Sequence, residues 1–176
     1  MTALALPTLD LYDAWADCVA DFGDEPIPGS GIWQLTDGVL EPTRASCAAM
    51  VEIARRESDV RRELPVERVH CDQYWLVDAS DPVEVVGFIA LRHRLTDHLL
   101  EAGGHIGYSV RPARRREGHA GRALGLVLGR AAAIGLTRVL ITCDVDNAAS
   151  YRTIESHGGV LEDVRGGKRR YWIGLE

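Results

Sequence analysis

The sequence predicts a mixed α/β protein, with a mostly antiparallel sheet, one parallel pair of strands and helices on both faces. Three observations carry this. Two helical stripes fill the first third of the chain. After Asp72, runs rich in aromatic and β-branched residues take over, and residues 105–143 read as strand, helix, strand. A strand–helix–strand unit within one sheet joins parallel strands by a right-handed crossover.

The first segment, "MTALALPTLDLYDAW", has no basic start, and acids follow its short apolar run, so it does not read as a signal peptide. In "LDLYDAWADCVADFG", Leu11, Trp15, Val19 and Phe22 recur at helical spacing with acids between them. "GDEPIPGSG" is dense in Pro and Gly and has no period, so it is a loop and a candidate to border a site. The second helix lies in "TRASCAAMVEIARRES", with Thr43 as N-cap and Cys47, Met50, Val51 and Ala54 as its buried stripe.

"DQYWLV" and "VEVVGFIALR" form a hairpin across the turn residues "DASDP", and "HIGYSV" is the next strand. "EGHAGRALGLVLGRAAAIG" carries an apolar stripe at Ala120, Ala123, Leu124, Val127, Ala131 and Ile134, with Gly135 as C-cap. "RVLITCDV" is a buried strand. Asn147 caps a helix through "NAASYRTIESH" that stops at Gly158 and Gly159. "VLEDV" and "RRYWIGL" close the chain as a hairpin about Gly166 and Gly167.

A chain of 176 residues suffices for one domain with a sizeable core. Its formal net charge of −6 and pI near 5.5 argue against a general nucleic-acid or membrane-surface binder. No apolar stretch approaches bilayer length. Cys18, Cys47, Cys71 and Cys143 are far apart and form no Cys-x-x-Cys, which suggests reduced, buried thiols and a cytoplasmic location.

Against this acidic background, "RPARRREGHAGR" (111–122) carries five arginines and one acid, placed between the first parallel strand and its helix. A helix N-terminus offers unpaired N–H groups and partial positive charge, and so favours anions. Gly118, Ala120 and Gly121 keep side chains out of a phosphate's way, and Arg115 and Arg116 add bidentate donors. A pyrophosphate cradle and a solvated basic cap on a helix both fit this pattern. The segment is neither a Walker A loop nor G-x-G-x-x-G, and it lacks the aromatics of a nucleic-acid face.

The spacing Arg115-x-x-Gly118-x-Ala120 resembles the acetyl-CoA motif of the GNAT N-acetyltransferases, Gln/Arg-x-x-Gly-x-Gly/Ala. "NAASYRTIESHGG" resembles that family's Asn-x-x-Ser/Ala helix, and the element order agrees from Thr43 to Glu176. "GGHIGYSVRP" with "ITCDVDNAAS" is similar to a bacterial subgroup of predicted acetyltransferases. The resemblance implies one acetyltransferase domain over 1–176, with a helical acceptor-side part at about 1–65 and an acetyl-CoA-binding core at about 72–176.

It further implies acetyl-CoA as cosubstrate and direct transfer to a primary amine, with a small-molecule acceptor preferred. A peptide or protein amine, and a non-catalytic CoA-binding module, are the alternatives. A homodimer is a family-level expectation. No metal, nucleic acid or membrane is expected as partner.

Carried over by position, the resemblance places the pyrophosphate on N–H groups from Arg116 through Gly118, His119, Ala120 and Gly121, with Arg115 and Arg116 beside it. The pantetheine would pair with the strand edge Tyr108, Ser109, Val110, and Asn147, Ser150 and Tyr151 would lie along it. The family's thiolate-protonating tyrosine, seven residues after the helix Asn, is Ile154 here. Ser150 is therefore the first candidate acid and Tyr151 the second. His105 is the candidate base, although strand alternation from Val110 favours Gly104 and Ile106 for that face. His93 and Glu101 flank the region, and water is a further candidate. The spacing of His93, His98 and His105 fits no zinc site. The tryptophans read as core, and the acidic N-terminal third reads as either a solvated face or an attractor for a cationic amine.

Overall fold

The computed structural model describes residues 1–79 and 83–175; residues 80–82 of the expected turn "DASDP" lie outside them. Strand β1 (Thr2–Ala5) precedes α1 (Tyr12–Phe22) and α2 (Arg44–Ser58). Then follow β2 (Cys71–Asp78), β3 (Glu84–Arg92), the short α3 (Asp97–Glu101) and β4 (Ile106–Val110). Helix α4 (His119–Ala133), β5 (Arg138–Asp144), α5 (Ala148–Glu155), β6 (Val160–Arg165) and β7 (Lys168–Gly174) complete the chain.

The seven strands form one sheet in the order β1-β2-β3-β4-β5-β7-β6, and all neighbours are antiparallel except β4 and β5. This is the expected mixed sheet with its crossover. Strand β1 was not legible: it has four residues, no period, and is held by pairing with Trp75–Asp78. Helix α3, capped by the Thr96 hydroxyl, was likewise missed.

Alternation along the strands sends two hydrophobic sets to opposite faces. On one face Trp75, Val77, Val85 and Phe88 pack beneath α1 and α2, where Trp15, Cys18, Phe22, Cys47 and Met50 are buried. On the other, Leu76, Ile89, Leu91, Ile106 and Ile141 pack beneath α4 and α5. Thr43 caps α2 as expected, its hydroxyl accepting from the Ser46 N–H. Helix α4 buries Ala123, Leu124, Val127 and Ala131 as expected and departs from its stripe only at the ends: His119, not Ala120, is buried, and Ile134 is exposed. At the first turn the partner is distant in sequence. His119 Nδ1 lies 2.8 Å from the Thr2 hydroxyl of β1. All four cysteines are free and buried. No helix among the described residues is long and apolar enough to cross a membrane.

Candidate active site

Strands β4 and β5 run parallel, so their C-terminal ends deliver the first turns of α4 and α5 to the same edge of the sheet. Crevices at such switch points take ligands. Here the crevice is opened further: among the described residues β4 and β5 share one register pair, Ile106↔Ile141. Ser109 lies opposite Phe88 of β3, and the Arg111 N–H donates to Val86 O. Alternation therefore commits the Ser109 backbone groups to β3 and turns the N–H groups of Tyr108 and Val110 toward the gap.

A cavity of about 680 Å³ passes through this gap. Gln73, Ala90, Arg92 and Gly107 line it from the α1/α2 face, and Tyr108, Cys143 and Ser150 from the α4/α5 face. The loop Ile27–Gly31 borders it, as its composition suggested. Gly29 has φ +81°, and a Cβ there would stand 2.3 Å from Gly107 O, so the loop lies directly on β4.

The basic turn divides into structural and free arginines. Arg111 binds Asp21 at 3.1 Å and Glu84 at 3.0 Å. Arg114 binds Asp78, Glu84 and Glu117, and Arg122 reaches the Thr2 hydroxyl and Glu117 O. Arg115 donates to Val110 O at 3.1 Å and pairs with Glu25. Arg116 has no such partner among the described residues, and at φ 68° it is their one non-glycine with positive φ. Its left-handed turn, followed by that of Gly118 at φ 80°, swings successive N–H groups to one side. Gly118 caps α4 without a side chain, and the N–H groups of Gly118, His119, Ala120 and Gly121 have no hydrogen-bond partner among the described residues. An anion with several oxygens fits that set of donors. The His119 side chain points away, toward Thr2 and Glu117.

Two acids of the N-terminal segment, Asp21 and Glu25, brace this turn. Asp21 accepts from the Ala113 N–H at 3.0 Å and from Arg111, and the Ala113 bond first, helped by Arg111, holds its carboxyl below the usual range. Helix α1 does not line the cavity, so its acids do not face the acceptor side.

At the start of α5 the Asn147 side chain accepts from the Ser150 N–H at 3.0 Å, the expected cap. The Ser150 hydroxyl lies 2.8 Å from Tyr108 Oη. Burial pushes the Tyr108 hydroxyl up to about 12, against the pull of its Ser150 hydrogen bond. Cys143 sits beside this pair, and burial raises its thiol, which suits a wall rather than a nucleophile. Ile154, where the family tyrosine was expected, is fully buried core. Tyr151 is not brought to the cavity; its ring packs under Arg169, with the guanidinium 4.6 Å from its centroid.

His105 is not brought there either. The Leu140 N–H donates to its Nδ1 at 2.9 Å, and its ring meets Trp172 edge-on. Burial, with Arg92 adding, lowers its pKa to about 4. His93 lies 3.2 Å from Asp72, and Glu101 pairs with Arg165 at 2.9 Å. Sequence reasoning missed the other end of the cavity. There Glu57 of α2, nearly buried, is held by Arg68, Gln73 and Gln34, with Trp33 stacked on Arg68. Its signal was weak, because Glu57 falls in the last turn of α2 among charged residues.

The family model described as "Acetyltransferase (GNAT) domain" matches residues 38–160. No curated protein matches the chain. Among solved structures it is similar to Mycobacterium smegmatis RimJ in complex with CoA-disulfide, at TM-score 0.71 and 19% identity, covering 98% of this chain and 81% of that one. It is similar to the microcin C7 self immunity acetyltransferase MccE in complex with acetyl-CoA and AMP, at TM-score 0.65 and 14% identity, covering 99% and 92%. An N-acetyltransferase from Staphylococcus aureus matches at TM-score 0.65 and 13% identity, covering 100% and 99%. At these identities the likeness is one of fold.

Proposed function

The chain belongs to the GNAT acetyltransferases and is an acyltransferase, and from that premise we propose that it moves acetyl from acetyl-CoA directly to a primary amine of a small molecule. The observation that carries this reading is the continuity of one cavity from the α5 start, through the β4–β5 gap, to the acceptor side beneath α2. The unpaired N–H groups of Gly118 to Gly121, with Arg116, would hold the pyrophosphate. The free edge at Tyr108 and Val110, with Asn147 opposite, would hold the pantetheine arm. Acetyl-CoA supplies the acetyl group as a thioester.

The Tyr108 N–H faces the gap, where it can polarise the acetyl carbonyl as an oxyanion donor. The amine nitrogen forms the new C–N bond, the C–S bond breaks, and the proton given up by the nitrogen ends on the CoA sulfur. Ser150 and Tyr108 are placed to pass that proton. Neither is acidic enough to be its source, since an ordinary thiol titrates near 8.5 and Tyr108 near 12. Both therefore act as a relay, each accepting one proton as it donates another. This hydroxyl pair takes the place of the tyrosine lost at Ile154.

The non-catalytic CoA-binding reading draws on Ile154 alone, and turnover separates the two. In an incubation with acetyl-CoA and a mixed amine library, CoA thiol release together with an N-acetyl product detected by mass spectrometry is expected. Binding of acetyl-CoA without release in any fraction of the library would leave only the binding module.

A further inference from the structure

Arg92 ends β3 with its side chain on the same face as Gln73 and Ala90. Its Nη1 donates to Gly103 O at 3.2 Å and Gly104 O at 3.0 Å, closing the turn that leads into β4. Its Nε and Nη2 have no partner among the described residues. Three Arg and Lys side chains line the cavity. Arg68 is bound to Glu57 and Lys168 to Asp144, whereas Arg92 faces no carboxylate among the described residues. Its field is felt nearby: after burial, it is the remaining cause that holds His105 low.

We propose that Arg92 anchors the carboxylate of the acceptor, so that the acceptor is a free α-amino acid and not a peptide or an amine without an acid group. This rests on the reading of the cavity as the transfer site. The open Nε–Nη2 edge is the side of a guanidinium that takes a carboxylate in two parallel hydrogen bonds. A methyl group on Gly107 would stand 3.8 Å from both Nη1 and Nη2, so the guanidinium hangs over Gly107, the residue before Tyr108. Two bonds separate an amino acid's nitrogen from its carboxyl carbon, a span of about 2.5 Å. A carboxylate on Arg92 therefore leaves the α-amine beside the Tyr108 edge, where the acetyl carbonyl would lie.

Ala90 and Gly107 give the space a low floor, and the amino acid's side chain would run on toward Gln73 and Trp33. Glu57 offers no counter-charge for a second ammonium, because Arg68 already meets it. A peptide N-terminus carries its α-carboxyl as a neutral amide and leaves Arg92 unpaired.

The test compares each standard amino acid with its carboxamide and its decarboxylated amine as acceptors for the wild-type enzyme, following CoA thiol release. At least one acid is expected to exceed both analogues by about 100-fold or more in kcat/KM, as a site built around a charged hydrogen bond rejects the analogue lacking it. Arg92→Lys, which keeps the charge but not the fork, is expected to narrow that ratio about 10-fold, chiefly through KM. An unchanged thermal shift with CoA would establish that this variant is folded. Equal turnover of acids and amides overturns the proposal and leaves the transferase reading intact. So does acetylation of the amides or decarboxylated amines only. Acetyl-CoA binding with no acceptor used, here or in the amine library, overturns the transferase reading as well and leaves only the binding module. Failure to bind acetyl-CoA at all overturns both.

Discussion

Tyr108 Oη lies 2.8 Å from Ser150 Oγ, joining the strand on one side of the β4–β5 gap to the helix on the other. If this pair relays the proton, Tyr108→Phe and Ser150→Ala each lower kcat by about 100-fold while leaving the affinity for acetyl-CoA within a few-fold. The double variant is no slower than the worse single one, because the hydroxyls act as a unit. Steady-state kinetics on the three variants check this. With its hydroxyl at about 12, Tyr108 stays protonated through neutral pH, so the rising limb of the rate profile belongs to deprotonation of the acceptor amine.

The division of the basic turn predicts two separate losses. Arg111→Ala strips Asp21 and Glu84 of their partly buried partner and should cost about 1–2 kcal/mol, read as a lower urea midpoint with unchanged slope. Arg116→Gly keeps the left-handed backbone and removes only the charge. Its stability should be unchanged or slightly raised, with acetyl-CoA affinity about 5- to 10-fold weaker. Reversed phenotypes would mean that the two roles are assigned the wrong way round.

Much of this architecture was legible because its signals are local. The Asn147 cap, the Gly135 stop after α4 and the aromatic and β-branched content of β2 and β3 each sit within a few residues of what they determine. What stayed hidden depends on distant partners. The burial of His119 at the start of α4 goes with a hydrogen bond to Thr2, on a strand with no pattern of its own. The arginines looked alike in sequence, and only the positions of Asp21, Glu84 and Asp78 show which are spent. Tyr108 was expected to contribute backbone, yet its hydroxyl crosses the gap to meet Ser150. Arg92 carried no signal, because an arginine at a strand end is ordinary until no carboxylate among the described residues proves to pair with it.

His105 gives a pH dependence of stability. The Leu140 N–H donates to Nδ1, so the folded imidazole is neutral, and its pKa of about 4 lies below the unfolded value near 6.5. The unfolded chain takes the proton first. This contribution is complete above about pH 6.5 and is lost as pH falls toward 4, by about 2–3 kcal/mol. Urea unfolding at pH 7 and pH 4.5 measures it, and His105→Gln should flatten the difference. An equal slope in the variant would assign the loss to other groups.

Gly29→Ala tests the contact of the loop with β4. An added Cβ meets Gly107 O at 2.3 Å, and the positive φ is strained for any other residue. A loss of about 1–3 kcal/mol is expected, with the melting temperature down by about 2–4 °C for each kcal/mol. Because the loop borders the acceptor side, KM for the amine should rise as well. A variant with wild-type stability and KM would show that the loop stands clear of Gly107.

A calorimetric titration of acetyl-CoA into the wild-type protein, repeated with Arg116→Gly and with ATP as competitor, bears on all of this at once. Saturable binding at one site per chain is expected, displaced by CoA, weakened in Arg116→Gly and little affected by equimolar ATP. Absence of saturable heat, or displacement by ATP as effective as by CoA, would mean that the β4–β5 gap and the start of α4 are not an acetyl-CoA site.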